Sequence, residues 1–354
     1  MVMTIIAFLL VFSLLVFVHE LGHFTVAKLT GIRVEEFGVG YPPRLLTIAR
    51  RGDTEYTLNA IPFGGFVRML GEDDPSHPDS FAAKSKLVRA GALLAGSLMN
   101  VVLAFLLFIG VGLIGFDIPT GSVAIVGVAP GSPAARAGLQ EGDAILSIDG
   151  LTVRNTYELS RYTRERLEEE VTLSIQRGEE AMPVRLTPRL EPPANEGAMG
   201  VIIQTVDIVG ADKLRYSFWE AIPMAAKMTV DVIAAIFFGV ASMIQGVIAP
   251  DFSGPIGIAA ATGEIAKSGL IALTQFTAFL SIQLAIFNLL PFPGLDGGRL
   301  AFIAIEALRG GKRVAPEKEG LLHLVGLVIL IGLMLIVSYQ DIARLLSGQP
   351  ILPP

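Results

Sequence analysis

The sequence has no cysteine, only four histidines and few charged residues for its length. The absence of cysteine excludes disulfides and thiolate metal ligands, so any metal must be held by histidine or carboxylate side chains. Charged residues make up 17% of the 354 residues, the net charge is −6, and long basic runs are missing, which argues against a nucleic-acid partner. Hydrophobic residues make up 52% of the chain, which indicates a membrane protein that needs the lipid bilayer as part of its fold.

Apolar stretches long enough to cross hydrocarbon, which takes about 20 residues, predict a polytopic α-helical membrane protein. The four predicted transmembrane helices occupy residues 1–30, 90–117, 268–298 and 319–341. The first stretch lacks the positive n-region and small-residue cleavage site of a signal peptide, so we expect it to be retained. A fifth stretch, 229–250, carries Asp231, and its pattern alone leaves open whether it spans the membrane or lies in the interface.

Lys and Arg are concentrated in two loops, at residues 31–89 and after Leu295, whereas the tail after Gln340 contains only Arg344. Because basic residues in short flanking loops prefer the cytoplasm, the simplest topology has four spans and both termini outside. Residues 118–267 are then extracytoplasmic.

Two regions outside the spans have β-type patterns. Residues 118–190 alternate strand-like segments with Gly-rich turns and one short Ala-rich helix, so they predict a compact soluble module, with a charged helix at 161–170. Residues 191–267 form a connector with an amphipathic or partly inserted helix. Residues 31–89 are a membrane-associated β region, in which 54–70 predict a hairpin that faces the helices, because lipid-exposed strand edges are disfavoured.

The motif HELGH at the end of the first span carries the chemistry. On a helix His19 and His23 share one face, at the spacing that lets two imidazoles hold one zinc ion. Glu20 can then reach a metal-bound water, whose pKa zinc lowers, and accept its proton as the water attacks a peptide carbonyl. HExxH arises by chance in about one chain in a hundred of this length. An unpaired carboxylate at membrane depth costs at least about 2.5 kcal/mol, which favours a functional role.

A catalytic zinc usually has three protein ligands, so a third must lie elsewhere in the chain. His77 is expected to be a solvated loop residue, His323 to make an interhelical hydrogen bond, and Asp231 belongs to the ambiguous fifth stretch. The remaining candidate is Asp296, in FNLLPFPGLDGGR at the end of the third span. There two prolines break the helix, and Gly294, Gly297 and Gly298 are expected to permit turns that bring Asp296 inward.

HELGH, together with N-x-x-P-x-P-x-L-D-G-G at residues 288–298, resembles the site-2 protease family of intramembrane zinc metalloproteases, and within it the bacterial regulator-of-sigma-E protease type. Three further segments match the family: GSLMN at 96–100, SGPIG at 253–257, and SPAARAGLQEGD at 132–143, which matches its PDZ module. The resemblance implies Zn²⁺ held by His19, His23 and Asp296, with Glu20 as general base.

The resemblance also implies how substrate is bound. Asn288 would contact substrate near the metal, and the hairpin with Gly64, Gly65 and Phe66 would present an edge to an unwound substrate strand. The implied substrates are single-span membrane proteins, such as anti-sigma-factor-like proteins or signal-peptide remnants, in the bacterial plasma (inner) membrane. The chain contains one extracytoplasmic PDZ match where the enterobacterial representative has two in tandem, which puts gating by a paired PDZ filter in doubt.

The resemblance bears on topology as well. His23 and Asp296 can meet only if their two spans run in the same direction, so residues 229–250 should not cross the membrane alone. Two other classes of function compete with the protease: a non-catalytic PDZ scaffold with a structural metal, and a metal transporter. Glu20 argues against the scaffold, because a structural site needs no base. A transporter would need ionisable residues along the second and third spans, and their apolar stretches 90–116 and 268–295 have none.

Overall fold

The computed structural model describes residues 2–72, 74–193, 196–247 and 253–347, with residue 63 described by its backbone alone. Among these residues the helices are α1 (Val2–Leu29), α2 (Lys86–Ile114), α3 (Pro133–Arg136), α4 (Thr156–Arg164), α5 (Phe218–Ile244), α6 (Pro255–Lys267), α7 (Leu270–Asn288), α8 (Asp296–Leu308) and α9 (Pro316–Leu346). The strands are β1 (Val34–Arg51), β2 (Thr54–Met69), β3 (Phe116–Val128), β4 (Ala144–Ile148), β5 (Leu151–Thr152), β6 (Val171–Arg177), β7 (Glu180–Leu186) and β8 (Val201–Leu214). The chain divides into a helical unit, Met1–Ile114 with Tyr216–Pro354, and an inserted unit, Gly115–Arg215.

Helices α1 and α2 approach each other closely because glycine lines their crossing. A Cβ atom on Gly22 would lie 2.3 Å from the Ala95 carbonyl oxygen, so any other residue would force the helices apart. Towards the start of α1, Val11 and Leu15 belong to an apolar cluster against which Leu103 of α2 packs. The two helices are therefore antiparallel, and their close crossing lies near the end of α1.

The connection between α2 and α7 begins and ends at the same end of the helical unit. At the end of α2, Gly112 lies against Ala221 of α5. Just before α7, Gly263 of α6 lies against Thr4 at the start of α1. Because α1 and α2 are antiparallel, both contacts are at the amino-terminal end of α1, and α7 runs in the direction of α1.

Five helices in the described residues are long and apolar enough to cross a membrane: α1, α2, α5, α7 and α9. Residues 229–244 of the ambiguous stretch belong to α5, which begins earlier than expected, at Phe218, where Glu220 and Ser217 form a capping box. Residues 248–250 of that stretch lie outside the described residues. The chain is a multi-pass membrane protein by these helices, whereas the count of four crossings stays a prediction.

Strands β1 and β2 form a sheet that lies against α1. Its register pairs residues 34–39 with 55–58 on one side and with 65–69 on the other, so segment 65–69 forms an edge of the sheet. Gly64 sits directly on α1, where a Cβ atom would lie 2.6 Å from a methyl carbon of Val16. The predicted hairpin region is therefore a more extensive sheet whose edge follows the helix carrying HELGH.

The inserted unit is a sheet in the order β7-β6-β4-β3-β8 around its own apolar core. Ile145, Leu173 and Ile175 of adjacent strands are almost completely buried there. Helix α4 begins at Asn155, whose side chain accepts a hydrogen bond from the Glu158 N–H at 2.8 Å, as N-cap residues do.

Several predicted boundaries differ from the structure. The compact module continues beyond residue 190, because β8 pairs with β3 along most of its length. The charged helix expected at 161–170 is α4, which starts at its Asn155 cap and ends at Arg164. The third predicted span corresponds to α7, which ends at Asn288 rather than 298 because Pro291 and Pro293 interrupt it. Asp296 starts a separate helix, α8.

Candidate metal centre and active site

His19, His23 and Asp296 converge on one point. The Nε2 atom of His19 lies 3.0 Å from Asp296 Oδ2, the Nε2 atom of His23 lies 3.2 Å from the same oxygen, and the two Nε2 atoms are 3.1 Å apart. Within the described part of the chain, this is the one group of three or more His, Cys, Asp or Glu side chains arranged to hold a metal ion. The sequence-predicted ligands are therefore brought together across a separation of 277 residues.

The spacing of these atoms fits zinc. Tetrahedral Zn²⁺ with ligand bonds of about 2.0–2.2 Å separates its ligand atoms by about 3.3–3.6 Å, only slightly more than the 3.0–3.2 Å between these three atoms. Two imidazole nitrogens and a carboxylate oxygen are a donor set that zinc commonly takes. Outside the centre, His23 donates its Nδ1 proton to the Ala92 carbonyl oxygen at 2.8 Å, which leaves the Nε2 lone pair facing inward.

Helix α2 leaves space for the two imidazoles by having glycine at position 96. A Cβ atom there would lie 2.4 Å from Nε2 of His23 and 2.7 Å from Cε1 of His19. Sequence reasoning matched Gly96 to a family motif without giving it a role. Its role depends on how closely α1 and α2 cross, which the motif spacing does not reveal.

Asp296 is delivered by the loop between α7 and α8. Gly294 takes a φ of +100°, a conformation that favours glycine, whereas Gly297 and Gly298 lie in the first turn of α8. Their role is close packing: Cβ atoms at 297 and 298 would lie 2.2 Å from the Leu290 carbonyl oxygen and 2.4 Å from the Phe292 carbonyl oxygen. The expectation that these two glycines permit turns is therefore wrong, because the loop instead folds back onto them.

Glu20 lines the same cavity as the three converging side chains. The cavity has a volume of about 370 Å³ and is also lined by Tyr41, Val67 and Asn288. The Glu20 carboxylate accepts a hydrogen bond from the Val67 N–H at 3.1 Å, so it lies between the metal centre and the sheet edge. Burial raises the pKa of the Tyr41 phenol, and the Glu20 carboxylate raises it further.

The predicted substrate-contacting residues fall in two places. Asn288, the last residue of α7, lies at the cavity with its Nδ2 atom 3.5 Å from Nε2 of His19. Gly64, Gly65 and Phe66 belong to the neighbouring edge of β2, but the described cavity lining includes Val67 in their place. Gly65 and Gly64 are buried against the sheet and α1, and the Phe66 ring stacks on Tyr41.

The other candidate ligands lie outside the converging group. His323 accepts a hydrogen bond from the Gly294 N–H at 2.9 Å, so its contact is with the loop that leads to Asp296 rather than the expected interhelical one. His77 is exposed in its loop and accepts a hydrogen bond from the Asp79 N–H. Asp231 is exposed on α5, where it pairs with Lys227.

Comparison with known proteins supports the chemistry of this site. The sequence matches the family described as peptidase family M50 over residues 7–333. It is 39% identical to a candidate zinc metalloprotease of Clostridium perfringens, with 96% of this chain and 98% of that protein covered. It is 31% identical to the regulator of sigma-W protease RasP of Bacillus subtilis, with 97% and 99% covered, and 32% identical to the zinc metalloprotease RasP of Shouchella clausii, with 97% and 100% covered.

Solved structures match only part of the chain. The PDZ domain of an SdrC-like protein from Listeria monocytogenes covers 25% of this chain and 93% of its own length, at 19% identity and a TM-score of 0.22. Its counterpart from Listeria innocua covers 23% and 92%, at 20% identity and a TM-score of 0.21. These TM-scores are too low to support an argument about this chain.

The family match and the full-length relatives confirm the resemblance read from HELGH and the N-x-x-P-x-P-x-L-D-G-G segment. They identify the activity as that of a metalloprotease. The chain belongs to peptidase family M50, the site-2 protease family.

Proposed function

We propose that this protein is an intramembrane zinc endopeptidase that cleaves single-span membrane proteins within or near their transmembrane helix. The observation that carries the proposal is that Asp296 converges within 3.2 Å with His19 and His23, which lie with Glu20 on an apolar helix suited to a membrane. Ionisable groups in such a helix cost free energy, so their presence there indicates a functional role.

His19, His23 and Asp296 would hold Zn²⁺ through two Nε2 atoms and a carboxylate oxygen. Bound zinc would supply a Lewis acid that polarises the scissile carbonyl and makes water a better nucleophile. Glu20 would accept the proton of the attacking water and then donate it to the leaving amide nitrogen, as a general base and acid. Asn288, at the same cavity, would donate its amide protons to the substrate near the metal.

The edge of β2 supports binding of an unwound substrate. In the described chain, segment 65–69 pairs with β1 on one side only, and on its open side the Val67 N–H donates to Glu20. Adding a substrate strand along such an edge provides main-chain hydrogen bonds. A helical substrate must unwind first, because its amide carbonyls are occupied by intrahelical hydrogen bonds. Gly64, Gly65 and Phe66 would position this edge through their packing against α1, β1 and the Tyr41 ring.

The wider setting follows from the same proposal. The protein would lie in the bacterial plasma membrane with its active site at the cytoplasmic side and the inserted unit outside. Its substrates would be anti-sigma-factor-like proteins or signal-peptide remnants, since one relative is named a regulator of sigma-W protease. The inserted unit would act as a PDZ domain that excludes substrates with bulky outer domains and binds peptides weakly.

The test compares cleavage of a membrane-embedded reporter by wild type and by Glu20→Gln. The variant should retain zinc while cleavage falls by about 10²- to 10⁴-fold, the usual contribution of a general base. Glu35→Gln is the matched control, because Glu35 is a partly exposed carboxylate of β1 that pairs with Arg68 away from the cavity. Full cleavage by Glu20→Gln would contradict the mechanism, and zinc binding without cleavage by wild type would favour a PDZ scaffold with a structural metal.

A further inference from the structure

Asn100 of α2 faces the outer nitrogen of His19. Its side chain is completely buried, and its Nδ2 atom lies 3.3 Å from Nδ1 of His19, on the side of the ring opposite the metal centre. Its Oδ1 atom is buried and has no hydrogen-bond partner among the described residues. A buried amide oxygen without a partner is costly, so this orientation of the amide calls for an explanation.

The protonation of His19 supplies that explanation. A neutral imidazole carries one proton, so an Nε2 lone pair directed at a metal requires the proton to be on Nδ1. An Nδ1–H group needs an acceptor, and of the two amide atoms of Asn100 only Oδ1 can accept. A half-turn of the amide exchanges Oδ1 and Nδ2 with almost no change of shape, and it gives His19 its acceptor.

We propose that Asn100 is a positioning residue for the metal centre, whose amide oxygen accepts the Nδ1 proton of His19 and thereby directs the Nε2 lone pair at the metal. This inference rests on the proposed zinc site. It gives His19 the same type of support that His23 receives from the Ala92 carbonyl oxygen. Both imidazoles are then fixed by α2, one through backbone and one through a side chain.

The surroundings of Asn100 suit such a role. The Ser281 hydroxyl of α7 donates to the Asn100 backbone carbonyl oxygen at 2.7 Å, and Ser281 is itself completely buried. This bond ties α7, whose following loop carries Asp296, to the turn of α2 that supports His19. Partners that orient metal-bound histidines typically contribute about 10- to 100-fold to metal affinity.

The first experiment measures the affinity of the purified full-length chain for Zn²⁺ by competition with a chelator. Asn100→Leu should bind Zn²⁺ about 10- to 100-fold more weakly, whereas Asn100→Asp, which keeps an acceptor, should stay within about threefold of wild type. Ser97→Ala is the matched control: Ser97 is buried on the same helix, its hydroxyl has no hydrogen-bond partner in the described residues, and its removal should leave the affinity unchanged.

The outcomes separate this inference from the proposed function. Wild-type affinity in a folded Asn100→Leu, or a loss in Asn100→Asp as large as in Asn100→Leu, would overturn the role of Asn100. If instead wild type and His19→Ala bind Zn²⁺ equally, the proposed metal site itself fails.

A second measurement needs no variant that could misfold. The chain has four histidines, so ¹⁵N-histidine NMR of the zinc-loaded wild type resolves few signals. The inference predicts that the His19 Nδ1 proton of the zinc-loaded chain has the downfield ¹H shift of a proton hydrogen-bonded to an amide oxygen, and a His19 Nδ1 proton with the shift of an imidazole that lacks a hydrogen bond would overturn the role of Asn100.

Discussion

The two units of the chain bury polar side chains in different ways. In the inserted unit, Asn155 caps α4 by accepting a hydrogen bond from the N–H three residues further on, and Asp143 is held by Arg177 and by the nearby Gln140 N–H. In the helical unit, His19 meets Asp296 across 277 residues, and the amide oxygen of Asn100 has no hydrogen-bond partner within the described part of the chain. Asn155 and Asp143 therefore complete local structure, whereas His19 and Asp296 are brought together from distant parts of the chain at the proposed metal site.

The largest expected effect comes from removing Asp296, the proposed metal ligand that lies 277 residues from His19 in the sequence. Loss of a residue that only orients a metal ligand weakens metal binding by up to about 100-fold. Asp296→Ala should weaken zinc binding by more than this, because it removes a proposed direct ligand. Cleavage should fall below detection. The measurement is the zinc content after dialysis, with Asp231→Ala as control, since Asp231 is an exposed carboxylate paired only with Lys227 among the described side chains. Equal zinc content in the two variants would contradict the assignment of Asp296.

A smaller effect is expected from filling the space between α2 and the imidazoles. Gly96→Ala would place a methyl group 2.4 Å from Nε2 of His23, so we expect about 1–3 kcal/mol of destabilisation and weaker zinc binding. Gly91→Ala is the matched control, because a Cβ atom on that glycine of the same helix meets nothing within 4 Å. Thermal unfolding and chelator competition would measure both effects, and identical behaviour of the two variants would refute the clearance role.

The inserted unit should respond to Asp143→Asn in stability alone. Arg177 donates two hydrogen bonds to the Asp143 carboxylate, at 2.6 and 2.7 Å, so we expect a loss of about 1–3 kcal/mol. Hydrogen exchange of β4 and β6 in the full chain would measure it, while zinc affinity stays unchanged. A change in zinc affinity would remove the contrast between the two units.

The same carboxylate makes the inserted unit sensitive to acid. Hydrogen bonding to Arg177 lowers the pKa of Asp143, so its stabilising effect is fully present above the ordinary carboxyl pKa and is lost as the pH falls through the lowered value. Protection measured at decreasing pH should therefore fall less steeply in Asp143→Asn than in Glu179→Gln, which alters an exposed carboxylate in the turn after β6. Equal slopes would argue against this source of acid sensitivity.

Sequence patterns indicated which side chains converge better than they indicated the boundaries of helices and strands, and the roles of those side chains stay predictions. His19, Glu20 and His23 follow from helical spacing, and Asp296 follows from prolines that must end a helix. The roles of Gly96 and Asn100 depend on how closely α1 and α2 cross, and no local pattern encodes that distance. The linker-like segment EPPANEG at 191–197 predicts that the compact module has ended, whereas β8 beyond it pairs with β3, a tertiary contact that no local pattern indicates.

The central claim is that two histidines and one carboxylate of this chain hold zinc at a single site, and X-ray absorption of the purified protein at the zinc edge tests it most directly. The account predicts one zinc per chain with two imidazole nitrogens and oxygen ligands at about 2.0–2.2 Å. Zinc at background level, or a zinc environment without imidazole, would contradict it.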